Sequence, residues 1–153
     1  MLKNLHPLLH ADLLHALRAM GHGDELVICD ANFPAESVAA DSVSGRLLRL
    51  DGVGTTEAAE AILSVFPLDS FVPHAAYRME VVGDRDTVPE VQQAFKKVLD
   101  ESAGRPVGLG SFERHAFYER ARQAYAVVAT GERRGYGCFI LVKGVIGPDG
   151  EVV

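Results

Sequence analysis

A histidine between two glycines heads the set of side chains that could do chemistry here. His22 stands in Gly21-His22-Gly23-Asp24, directly after an apolar helical stretch. An unperturbed imidazole titrates near ~6.5, so it can hold a proton and return it around neutral pH. Carbonyl dipoles at a helix C-terminus favour the protonated ring by roughly 0.3–1 kcal/mol, and the same position also suits a plain helix cap. Asp30 closes the apolar run Leu26–Cys29, just before Ala31-Asn32-Phe33-Pro34. Ligands of open α/β sheets gather outside the carboxyl ends of strands, where a carboxylate can accept from hydroxyls; an Asx turn would use the same residue. Arg114 and Tyr118 are four apart, hence neighbours on one helical face, offering a fork of donors and a phenol. A solvated charged face explains the arginine as well. Tyr136 sits between Gly135 and Gly137, ahead of Cys138, where backbone can come close to a ligand or turn a hairpin. Asp69 follows Pro67 and reads as a turn residue.

Other chemistries lack their patterns. Gly21-His22-Gly23-Asp24 has no third glycine and follows a helix, and Gly52-Val53-Gly54 is followed by Glu57 where a dinucleotide fingerprint needs glycine. No GxSxG nucleophile elbow and no HExxH zinc motif occurs. No metal and no cofactor are expected. The net charge of −6 and scattered basic residues argue against nucleic acid, which needs a basic stripe. No run approaches the ~18 apolar residues of a membrane span. The N-terminal stretch lacks the uninterrupted apolar core of an export signal. Cys29 and Cys138 are too far apart in sequence for a CxxC pair and read as free thiols. The expected location is the cytoplasm.

The elements that must position these residues follow from periodicity. Leu13, Leu14, Leu17 and Met20 share a helical face over 11–20, stopped by Gly21. Strands are expected at 25–30, 46–50, 77–82, 124–130 and 138–146. Helices are expected at 35–40, across Ala58–Phe66 until Pro67, from Pro89 to near Gly104, and over 112–124, where Phe117, Ala121 and Ala124 form a core stripe. Alternating strands and helices predict an α/β fold, a sheet with helices packed on it. With 153 residues, 48% hydrophobic, and no repeat or linker, one domain over 1–153 is expected.

The segments Leu13–Ala35, Phe66–Phe71, Phe112–Glu132 and Tyr136–Val145 together resemble, in order, the RbsD/FucU family of sugar mutarotases. The Asn32-Phe33-Pro34-Ala35 and Phe117–Ala121 segments are closer to the FucU branch, the L-fucose mutarotases, than to the ribose pyranases. The resemblance implies an RbsD-like fold, a ring-based homo-decamer with sites near subunit interfaces, and a free monosaccharide as substrate. It implies that His22 is the catalytic proton donor. It places Asp30, Arg114, Tyr136, Gly137 and position 138 at the sugar, with Asp69 and Tyr118 touching it in some members. Ring opening would then take a proton from the anomeric hydroxyl and deliver one to the ring oxygen, with His22 at the lip of a pocket formed by Asp30 and Arg114. One departure stands out. The family usually carries asparagine after Tyr-Gly, whereas this chain has Cys138, and a thiol is a weak donor and acceptor beside an amide. That change favours a rival reading, a non-catalytic sugar-binding or regulatory module on the same fold.

Overall fold

Strand β1 (Glu25–Cys29) is apolar without alternation because both of its faces are covered. Leu26 and Ile28 enter one hydrophobic cluster, Val27 and Cys29 the other. The computed structural model describes residues 2–153. Along the chain follow α1 (Ala11–Ala19), β1, α2 (Ala35–Asp41), β2 (Leu47–Leu50), α3 (Thr55–Leu63), β3 (Ala76–Met79) and α4 (Glu90–Ala103). The order ends with β4 (Leu109–Phe112), α5 (Arg114–Gln123), β5 (Ala126–Thr130) and β6 (Phe139–Val142). The six strands form one sheet in the order β2-β5-β1-β6-β3-β4. β1 and β2 run parallel to β5, β3 runs parallel to β4, and β6 is antiparallel to both β1 and β3. Only β6 opposes the other five. The carboxyl ends of those five strands and the start of β6 therefore meet along one edge of the sheet.

Helices α1, α3 and α4 pack on one face, with Phe95 of α4 stacked on Phe139 of β6. Helices α2 and α5 cover the other, where Phe117 and Ala121 are fully buried, as their spacing requires. The fold is thus the expected α/β sheet between helices. Several boundaries move. β4, with the sequence Leu-Gly-Ser-Phe, carries little β pattern, and part of it falls where a helix from 112 is expected. Gly110 is required there, because a Cβ would lie 2.6 Å from the Tyr77 ring on the neighbouring strand. The helix instead begins at Arg114, after Glu113 accepts from the His115 N–H. β3 ends at Met79 rather than 82, and β6 at Val142 rather than 146.

Candidate active site

Asp30 is 5% exposed and stands where β1 leaves the sheet. Its Oδ1 accepts from the Asn32 N–H (3.0 Å), so the Asx turn is real. Its Oδ2 accepts from the Gly137 N–H at 3.1 Å and from the Cys138 thiol at 3.4 Å. That second set exists because β5 and β6 lie on either side of β1. The segment joining them cannot be a two-strand hairpin; it crosses the end of β1 and lays residues 136–138 on Asp30. Gly137 has to be glycine at this crossing: a Cβ would meet the Glu132 side chain at 2.9 Å and Asp30 at 3.4 Å.

Tyr136 adopts φ +63°, a left-handed conformation that tyrosine rarely takes. Its phenol oxygen accepts from the Val82 N–H (3.2 Å). Tyr118, half-buried on α5, meets the Phe33 ring edge-on at 5.4 Å, and Phe33 N–H donates to the Asp30 carbonyl. Arg114 starts α5 at the same edge of the sheet, exposed, with a guanidinium nitrogen 3.4 Å from His115 Nε2 and no ion pair among the described residues. Asp30, Arg114, Tyr118, Tyr136, Gly137 and Cys138 therefore share one end of the molecule. A cavity of about 790 Å³ opens on the α2 side of Asp30, lined by Asp30, Phe33, Leu47, Arg49, Asp51 and Thr130; of the six site residues only Asp30 reaches it.

Cys138 is 2% exposed and turns its thiol onto Asp30. Burial raises its pKa, with the Asp30 charge adding to the effect, so it acts as a weak S–H donor. Burial likewise raises the Cys29 thiol.

His22 and Asp69 form a second cluster elsewhere. Asp69 is 3% exposed; its Oδ1 accepts from the Phe71 N–H (2.9 Å) and its Oδ2 lies 3.2 Å from His22 Nε2. The imidazole is half exposed and meets the Phe71 ring edge-on at 5.6 Å. An ionised carboxylate only accepts, so Asp69 fixes the proton on Nε2 and leaves Nδ1 for a ligand. The expected poise from the carbonyl end of α1 is not the operative contact. Lys143 Nζ donates to the Leu17 and Met20 carbonyls (2.7 and 2.6 Å) and occupies that end. Its backbone also exchanges hydrogen bonds with Gly23 and Asp24, holding the turn that carries His22.

The two clusters sit at opposite ends of one strand pair. β1 and β6 register from Glu25 against Val142 to Ile28 against Phe139, so His22 precedes one end and Asp30 follows the other. At ~3.3 Å per residue that places them roughly 20 Å apart. Within one chain, then, His22 does not join Asp30 and Arg114 in one pocket: the length of the strand separates them.

Glu132 and Lys143 were not legible as site residues. Glu132 is 5% exposed and binds Arg134 through its N–H (3.0 Å), Nε (2.9 Å) and Nη2 (2.8 Å). It also accepts from the Thr55 hydroxyl (3.4 Å) at the start of α3. The Arg134 hydrogen bond is the main cause that pulls its carboxyl down to about 2. The signal for it was the turn Gly52-Val53-Gly54 opening a helix: its N-terminus takes the chain's own carboxylate instead of a phosphate.

The fold, then, is a covered α/β sheet with a carboxylate–tyrosine cluster at one end and an imidazole–carboxylate pair at the other. A model of the RbsD / FucU transport protein family matches residues 3–146, and the chain belongs to that family. Fucose mutarotase of Bos taurus is 44% identical over 96% of this chain and 95% of its own length. The crystal structure of fucose mutarotase from Streptococcus pneumoniae in complex with L-fucose is 38% identical, with TM-score 0.85, covering 95% of this chain and 100% of that one. FucU from Bifidobacterium longum is 41% identical, with TM-score 0.87 over the same shares. A further solved structure reaches 52% identity and TM-score 0.93, over 96% of this chain and 97% of that one.

Proposed function

We propose that this chain is a monosaccharide mutarotase acting on L-fucose or a related free sugar, with each site built by two copies. The relatives named as fucose mutarotases, similar over nearly their whole length, support the activity. The observation that carries the chemistry is the half-exposed His22 imidazole with Nε2 held by buried Asp69. Nδ1 is then the atom that exchanges protons. As imidazolium it donates to the ring oxygen while the anomeric hydroxyl gives its proton to Asp30, a tyrosine or water; the C1–O5 bond breaks, C1 rotates and the ring recloses on the other face, with both protons returned. Positioned acid–base catalysis of this kind gives ~10²–10⁴-fold. Asp30, Arg114, Tyr118 and Tyr136 bind the hydroxyls, with Gly137 and Cys138 lining the floor. Asp30 keeps lone-pair capacity beyond its three protein donors.

Roughly 20 Å within one chain is too far for a proton transfer between His22 and a sugar on Asp30. In the ring-based decamer proposed here, His22 of one copy faces the Asp30 end of the next. Each copy is one domain over residues 1–153, in the cytoplasm, and the reaction calls for neither metal nor cofactor because side-chain acid–base groups suffice to move its two protons, with no redox change and no group transferred. No helix among the described residues is long and apolar enough to cross a membrane.

The test mixes two inactive chains, His22→Ala and Asp30→Asn, by co-expression. Anomer exchange is read by NMR saturation transfer between the α and β anomeric protons. Each variant alone is inactive. If one copy supplies His22 and another Asp30, random mixing restores about a quarter of the sites. No recovery in mixed oligomers sinks the shared site. The turning of the Cys138 thiol onto Asp30 favours a second reading, a sugar-binding module without turnover. That reading predicts a sugar-dependent rise in melting temperature with no exchange.

A further inference from the structure

We infer that Gln92 is a positioning residue for the sugar site, holding Tyr136 in its left-handed conformation and so aiming the phenol. The inference rests on the reading of Tyr136 as a sugar contact. Gln92 lies on α4, 0% exposed, among Val91, Phe95 and Leu99. A residue that only packed there would be apolar like its neighbours, because a buried amide is costly unless every polar atom is paired. Here all are paired, and the partners converge. Nε2 donates one proton to the Met79 carbonyl (2.7 Å) and one to the Tyr136 carbonyl (3.0 Å). Oε1 accepts from Arg78 Nη1 (3.2 Å). Arg78, 8% exposed, is fixed in turn by the Thr87 and Arg85 carbonyls.

The amide therefore ties the end of β3 to the turn between Gly135 and Gly137. Tyr136 needs such a tie, because at φ +63° its Cβ crowds the following carbonyl and the free chain would leave that conformation. A second hold acts on the ring. The Val82 N–H occupies a lone pair of the phenol oxygen, which leaves the phenol's own hydrogen to donate to a sugar oxygen. The carbonyl is thus pinned through Gln92 to the end of β3, and the phenol to Val82 three residues further on. The same turn presents the Gly137 N–H to Asp30, so its conformation sets the sugar-binding wall on both sides.

The experiment compares wild type with Gln92→Met and Gln92→Glu. Methionine keeps volume and loses every hydrogen bond. Glutamate keeps an acceptor for Arg78 but has no proton for either carbonyl. Anomer exchange against L-fucose concentration gives KM and kcat. Hydrogen–deuterium exchange by mass spectrometry reads peptides covering 132–138 and 11–20. The expected result in both variants is a KM raised about tenfold with kcat within about threefold. Faster amide exchange is expected at 132–138 and not at 11–20. Unchanged KM in folded protein overturns the inference, as does exchange that quickens equally everywhere. Failure of both variants to fold also overturns it, in favour of a purely structural glutamine. Wild type showing neither anomer exchange nor a sugar-dependent melting shift sinks the sugar-site reading instead. The 132–138 peptide then still decides whether Gln92 holds the turn.

Discussion

Glu132→Gln isolates one carboxylate whose ionisation is coupled to folding. Hydrogen bonds from Arg134 pull its pKa from an ordinary 4.5 to about 2. The direction fixes the sign. A depressed carboxyl stabilises the folded state above the unfolded pKa, and that stability is lost as pH falls from about 4.5 towards about 2. At 1.36 kcal/mol per unit the ceiling is about 3 kcal/mol at neutral pH. The Arg134 side chain is 44% exposed, so water screens the pair, and we take about 2 kcal/mol as the expected loss. For a chain of this size that is about 4–8 °C of melting temperature. The assay is thermal unfolding of wild type and variant at pH 7 and pH 3, at one protein concentration. Other carboxylates titrate equally in both proteins and cancel in the difference. The gap should shrink at pH 3 to about half or less of its value at pH 7. A gap of the same size at both pH values would refute the coupling, and a gap near zero at pH 7 would refute the brace itself.

Replacing Asp69 with Asn leaves an acceptor for the Phe71 N–H but no longer fixes Nε2–H of His22. We expect kcat to fall about 10–100-fold with little change in melting temperature, measured by anomer exchange; an unchanged kcat would free His22 from its proposed orienter. The two thiols are buried and protonated, so native protein should resist a thiol-reactive disulfide reagent that labels both after unfolding. Rapid labelling of Cys138 in folded protein would show that the Asp30 floor opens. Cys138→Asn replaces the thiol on Asp30 with an amide, and a shift in KM between L-fucose and related sugars would identify position 138 as a specificity residue. Equal KM values for every sugar would leave only its backbone in the site.

What the amino-acid sequence determined is local. Leu13 and Leu17 had to face a core because their spacing follows the helix repeat, and Leu26–Cys29 had to be a strand covered on both faces. Types and neighbours marked His22, Asp30 and Tyr136, since glycines and a strand end are visible in a linear string. β4 escaped because Leu-Gly-Ser-Phe has no period and is held as a strand by β3 alongside it. Gln92 and Lys143 escaped for a related reason: each matters through partners 13 to 126 residues away, and Glu132 joins its near neighbour Arg134 to Thr55, 77 residues away. Only the tertiary structure decided that β1 lies between β5 and β6. Strand order is set by which faces helices can bury, a property of the whole chain rather than of any window. That order sends the Tyr136 turn across Asp30 and puts His22 at the far end of the same strand.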